Sequence, residues 1–133
     1  MEIRVHGFPA PQGSKRHVGR GIMIESCKAV KPWRESIRSA LIDDKNQPLA
    51  RFEGAVVSYL WFIMPRPKST PKKRTPAATS RPDLDKLERA VNDAIKSAGV
   101  IKDDSFIVKT IKEKRLADLG EAPGLLLRLE AAA

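Results

Sequence analysis

Asp83 and Asp85 flank a single leucine, and a second acidic pair, Asp103-Asp104, follows further along the chain. Ahead of both lies Pro65 to Arg81, which carries Arg66, Lys68, Lys72, Lys73 and Arg74 and no acidic residue. Carboxylates are the hard oxygen ligands that magnesium takes while keeping several of its waters. An ion held in this way can activate a water and stabilise the charge that builds on a phosphodiester. Bare aspartates under a cationic rim would repel a polyanion, so a metal is what makes the combination useful. These residue types point to metal-assisted phosphodiester hydrolysis.

Plainer readings exist for each part. Asp83 is a natural helix N-cap, and Asp85 in a first turn complements the helix dipole. Taken alone, the pair reads as structural before it reads as catalytic. Asp103-Asp104 fits a solvated turn. Lys15-Arg16 and Lys72-Lys73-Arg74 fit solubilising surface charge. Trp33 and Trp61 fit core packing better than stacking platforms.

The elements that must position these residues are readable from periodicity. Ile3, Val5 and Phe8 form a short segment of edge-strand character, stopped by Pro9 and Pro11. Pro9 to Gly21 is a Gly-rich basic loop containing Lys15, Arg16 and Arg20, and Ile22-Met23-Ile24 reads as a short strand. Lys31-Pro32-Trp33 opens a helix, with Trp33, Ile37, Ala40 and Leu41 at helical spacing. Gly54 to Met64 is a nearly continuous apolar run, which predicts a mid-sheet strand buried on both faces. The proline-rich basic stretch that follows is long for a loop in a small domain, a feature that tends to accompany function.

Asp83 then predicts the N-cap of a helix running to Ala98 and closed by Gly99, with Leu84, Leu87, Val91, Ala94, Ile95 and Ala98 on its buried stripe. Phe106 to Leu116 is rich in β-branched residues and reads as a strand. A last strand, Leu125 to Leu129, follows Pro123-Gly124, and the closing Glu130-Ala131-Ala132-Ala133 is expected to lie outside the fold. This order predicts a single α+β domain over residues 1–133, a mixed sheet packed against two main helices. Such a helix is roughly 22 Å long. Asp104 therefore meets Asp85 only if the chain turns back sharply at Gly99.

With 133 residues the chain has room for one modest core, and 41% apolar residues place it among folded rather than disordered chains. A net charge of +9 on so small a domain calls for a polyanionic partner, most simply nucleic acid. Binding to a membrane surface would need a basic amphipathic helix with aromatic anchors, and neither helix has one. One cysteine excludes an intrachain disulfide and a cysteine-based zinc site, and two histidines are too few for a histidine-rich one. The N-terminus does not read as a signal peptide, and no apolar run is long enough to span a bilayer, so a cytoplasmic location is expected.

The stretch from Arg81 to Ser105 resembles the core signature of RusA-like Holliday-junction resolvases. Arg81-Pro82-Asp83-Leu84-Asp85-Lys86-Leu87 is similar to the segment that opens that family's helix. Asn92-Asp93-Ala94 and Gly99-Val100-Ile101-Lys102-Asp103-Asp104-Ser105 are similar to its later motifs. Gly7-Phe8-Pro9-Ala10-Pro11-Gln12-Gly13-Ser14-Lys15-Arg16 resembles the opening of phage-borne relatives. The resemblance covers most of the chain. It implies that Asp83, Asp85 and Asp104 are the essential carboxylates and hold the metal. Lys86 stands where the family has asparagine, and Arg89 where it has an important lysine.

The resemblance further implies a homodimeric endodeoxyribonuclease, dependent on magnesium or manganese and on no small-molecule cofactor. It would nick four-way DNA junctions in pairs during recombination or repair, in a bacterial or phage-infected cell. Lys15, Arg16, Arg20, Lys72, Lys73, Arg74, Arg81 and Lys86 would hold the DNA, with Arg89 at the scissile phosphate. Competing readings are a nuclease that prefers flaps or forks and a basic DNA-binding protein without catalysis. A ribosome-associated RNA-binding protein suits the charge but leaves the carboxylates unexplained.

Overall fold

The structure, a computed structural model, describes residues 1–13 and 28–133, together with the backbone of residues 16, 17, 23 and 24. The elements run β1 (Glu2–His6), β2 (Arg16–His17), β3 (Met23–Ile24), α1 (Val30–Ala40), β4 (Val56–Met64), α2 (Leu84–Ser97), a 3-10 turn (Asp104–Phe106), β5 (Ile107–Leu116) and β6 (Gly124–Ala131). The main sheet has strand order β1-β6-β4-β5, with β4 and β5 parallel and the other pairs antiparallel. The two short strands β2 and β3 pair with each other. This is the α+β mixed sheet with two helices that the sequence predicts.

Parallel neighbours need a crossover, and α2 supplies it between β4 and β5. Its stripe of Leu87, Ala90, Val91, Ala94 and Ile95 packs into one core with Val30, Trp33 and Ile37 of α1. Alternate residues of the central strands complete that core, Val56, Leu60 and Phe62 from β4 and Leu125, Leu127 and Leu129 from β6. On the other face of β4, Tyr59 and Trp61 are only half-buried and stack at 5.8 Å. The expectation of a strand buried on both faces therefore fails, and Trp61 differs from the fully packed Trp33. Strand β4 is mid-sheet as expected, but the helices pack on one side of it.

Two further expectations need correction. Strand β1 ends at His6, which leaves Phe8 in the following loop, 70% exposed. The C-terminal residues do not lie outside the fold. Strand β6 pairs through Ala131 opposite Val56, and the Ala132 N–H donates to the Ala55 carbonyl at 2.8 Å. Strand β6 begins on Gly124 for a steric reason: a Cβ there would stand 2.1 Å from the Val5 carbonyl oxygen.

The topology has one consequence for the site. The C-terminal ends of β1, β4 and β5 and the start of β6 all lie at one end of the sheet, because β4 and β5 are parallel and β6 runs against β1 and β4. Helix α2 leads from that end back to the start of β5. Its N-terminus therefore shares an end with the loops after His6, Met64 and Leu116. Asp103-Asp104, just before β5, belongs to the opposite end.

Candidate active site

Asp83 occupies the N-cap position of α2 with extended backbone, but its side chain makes no capping bond. Its carbonyl oxygen accepts from the Lys86 and Leu87 N–H groups, while its carboxylate faces the Lys86 ammonium at 3.8 Å. Asp85, in the first turn, faces Arg89 at 3.7 Å, and more than half of each side chain is exposed. The cap reading of Asp83 therefore holds for the backbone and not for the carboxylate. The approach to the helix is clamped by Lys114 of β5, whose ammonium donates to the Ser80 and Pro82 carbonyls at 2.8 Å each.

At the far end of α2 the two acids of the later pair diverge. Asp103 accepts from the Ser105 N–H at 3.1 Å and pairs with Lys96 at 3.3 Å. The Ser105 hydrogen bonds, with Lys96 after them, hold its carboxyl down at about 2. Asp104 is pushed the other way, first by burial and then by the negative charge of Asp93. Asp93 takes the Gln12 side-chain amide and faces Arg34 at 3.5 Å, while Arg34 donates to the Gln12 Oε1 at 2.6 Å. An Asp85–Arg89–Asp93 ladder of ion pairs is the simplest structural role for this face, but Asp93 is engaged elsewhere and the ladder stops at Arg89.

Gly99 does turn the chain, with φ of +83°, a conformation glycine adopts without strain. The chain then spends residues 100–106 before β5 begins, so Asp104 stays beside Asp93 and Lys96. The 14-residue α2 spans about 21 Å. The structure thus brings Asp83 and Asp85 together at one end of the helix and Asp104 with Asp93 at the other. Among the described residues no three His, Cys, Asp or Glu side chains gather as a metal site. Asp83 and Asp85 are exposed, and among the described residues their carboxylates face only Lys86 and Arg89 and accept no hydrogen bond, which suits a hydrated hard cation.

The cations surround both ends. Lys72, Lys73, Arg74 and Arg81 are exposed, and Lys86 is partly so. Arg66, in contrast, turns inward. Its guanidinium donates to the Thr75 hydroxyl (2.8 Å) and to the carbonyls of Pro71 (2.5 Å), Arg74 (2.7 Å) and Ala117 (3.0 Å). That hub gives the acid-free loop a defined shape and leaves its other cations outward. Between α1 and α2 runs an open groove of about 880 Å³ lined in part by Lys31, Arg34, Arg38, Asp93 and Lys96. Lys15 and Arg20 lie outside the described residues, as does the side chain of Arg16.

Sequence reasoning missed Gln12, Arg34 and Lys114, which fix the geometry here. Gln12 lies inside the opening motif, but nothing in its local sequence marks its partner on α2. Lys114 sits at alternate spacing with Lys112, whose ammonium is 3.1 Å from Glu88, so an alternating-lysine strand was the available signal.

Fold and site together define a small basic α+β protein with exposed carboxylates and exposed cations around the N-terminus of one helix. The family model described as Endodeoxyribonuclease RusA matches residues 6–129, nearly the whole chain. The chain belongs to that family, and its class of activity is that of an endodeoxyribonuclease. No curated protein matches the sequence. Among the described residues no helix is long and apolar enough to cross a membrane.

Proposed function

We propose that the protein, acting as one nuclease domain, resolves four-way DNA junctions by paired nicks, with magnesium, or manganese in its place, bound at Asp83 and Asp85. The observation that carries this reading is the N-terminus of α2, where the N-cap aspartate turns an exposed carboxylate toward Lys86 instead of capping. When bound, the metal supplies an activated water and charge neutralisation at the scissile phosphate. Asp83 and Asp85 would hold it, with Lys86 keeping the Asp83 carboxylate near the helix end. Arg89 presents a planar fork that can grip two phosphate oxygens. The outward cations Lys72, Lys73, Arg74 and Arg81 carry the DNA arms through their phosphates.

Paired nicks in a symmetric junction call for two active sites related by a two-fold axis, and a homodimer is the simplest source. The dimer also offers a way to gather carboxylates that one chain keeps at opposite ends of α2. Asp104 of one copy is free to complete the site of the other.

A labelled synthetic junction, incubated with and without magnesium and sized on a denaturing gel, tests the reaction. Paired cuts only with metal are expected, and an uncut junction would leave a DNA-binding protein. Faster cutting of flaps or forks would move the substrate within the same chemistry. Mixing Asp85→Asn with Asp104→Asn protein tests the shared site. Partial recovery of nicking is expected if each site draws on both copies, and none if each chain is self-sufficient.

A further inference from the structure

We propose that Phe8 is a wedge that unstacks DNA at the branch point, and that the hollow beside it receives the displaced nucleobase. The proposal rests on the junction-cutting reading and deepens it by naming a subsite. Single exposed apolar residues are common and need no explanation by themselves. Phe8 is different because its loop is pinned while its ring is 70% exposed. The Gly7 N–H donates to the Pro123 carbonyl at 3.1 Å, and the Gln12 N–H donates to the Lys86 carbonyl at 3.0 Å. Between these anchors Pro9 and Ala10 are buried. The backbone is thus fixed against β6 on one side and α2 on the other, and the aromatic ring stands out from it.

The ring forms a ridge between two hollows. One, of about 440 Å³, has walls that include Pro9, Pro11, Ala29 and Pro82, with Arg81, Asp83 and Lys86 among the residues around it. The other, of about 400 Å³, lies beneath the basic loop beside Pro65, Lys68 and Lys72. Proline rings and an alanine methyl offer the flat apolar surface that suits a nucleobase face. The cations around the first hollow match the phosphates on either side of an extruded nucleotide, and Lys68 and Lys72 match the backbone of the strand that diverges from it. Asp83 belongs to the same hollow, so the base received is next to the bond to be cut. Extrusion costs least where pairing is already interrupted, which favours a branch point over continuous duplex.

Binding measured by fluorescence anisotropy in EDTA tests the wedge without depending on cleavage. Phe8→Ala should weaken binding to a four-way junction about tenfold, the scale of one base stacked on an aromatic ring, and leave affinity for linear duplex unchanged. Phe8→Trp should restore junction binding. With abasic sites at the crossover positions, wild type and Phe8→Ala should bind alike. An unchanged junction affinity in Phe8→Ala, an equal weakening on duplex, or a weakening that persists on the abasic junction would each overturn the wedge. Cleavage of the intact junction by wild type in magnesium, run in parallel, separates the two ideas. Cutting without Phe8 dependence removes the subsite alone, and Phe8-dependent binding without cutting removes the nuclease reading alone.

Discussion

Asp103 and Asp104 are adjacent in the chain and opposite in acidity. Hydrogen bonds from Ser105 and the charge of Lys96 keep Asp103 ionised down to about pH 2. Burial and the nearby Asp93 make Asp104 hold its proton above the ordinary aspartate range. Asp103 is occupied in shaping the turn, and the Asp104 carboxylate takes no part in it. If Asp104 completes the metal site as proposed, Asp104→Asn should abolish junction cleavage while binding survives or tightens, since it would remove a ligand and a negative charge facing phosphate. Asp103→Asn should cut near the wild-type rate, because asparagine can still accept from Ser105. Equal reductions in the two variants, read on the same gel, would contradict this division.

Arg89 lies one turn beyond Asp85 on α2, and its only ion pair among the described residues is with that carboxylate. An exposed pair of this kind contributes a few tenths of a kcal/mol. Arg89→Ala should leave the melting temperature nearly unchanged and lower the cleavage rate at least about tenfold, roughly 1.4 kcal/mol of barrier. Arg89→Lys should retain much of the activity. Arginine keeps its charge at any working pH, so proton donation is not its role. Wild-type cleavage by Arg89→Ala would assign the phosphate contact to Lys86 or Arg81 instead.

The acid-free loop holds its shape through Arg66, and through the Thr75 hydroxyl, which also donates to the Asp118 carboxylate at 3.1 Å. Arg66→Ala removes one donor group from several carbonyls at once. The cost should be about 1.5–3 kcal/mol, the range for hydrogen bonds to a charged group. Limited tryptic digestion should show it most directly, with cuts at Lys68, Lys72 and Lys73 becoming much faster than in wild type. An unchanged digestion pattern would mean the loop is ordered by its prolines alone.

Lys72, Lys73 and Arg74 should act as sequence-independent phosphate ligands. Neutralising all three should weaken binding to junctions, forks and duplex alike. The salt slope should fall by about 0.9 for each phosphate no longer neutralised by the protein. A slope equal to wild type would place this loop away from the DNA.

Arg115 and Glu121 form a fork-to-fork pair at 2.6 and 2.7 Å, at the turn that leads to β6. The Arg115 bonds, with the Asp118 N–H after them, lower the Glu121 carboxyl from 4.5 to about 2. Because the folded value is the depressed one, the pair stabilises the fold fully above about pH 4.5, and that contribution fades as pH falls toward 2. Glu121→Gln should therefore melt below wild type at neutral pH, with the difference closing through that acid window. A difference that stays constant with pH would show that the pair contributes nothing through its charge.

The sequence by itself determined the class of fold, the strand and helix order, and the residues worth testing. Apolar spacing is a local property: Leu87, Val91, Ala94 and Ile95 must face one way on any helix, and a run as apolar as the one ending at Met64 must put at least one face in the core. Asp83 to Asp104 was legible because motifs are local too. What only the tertiary structure decided is which of these residues meet. The sequence leaves open whether Asp104 returns to Asp85. Residues 100–106 and the parallel pairing of β5 with β4 keep the two at opposite ends of α2. Asp83 has the sequence of a capping residue, yet its carboxylate turns to Lys86 while Lys114, from a distant strand, holds the segment in place. Phe8 reads as a strand residue by type, but β1 stops at His6 and leaves its ring in solvent. Each of these outcomes depends on packing between segments far apart in the chain, and residue type and spacing carry no record of which distant segments will meet.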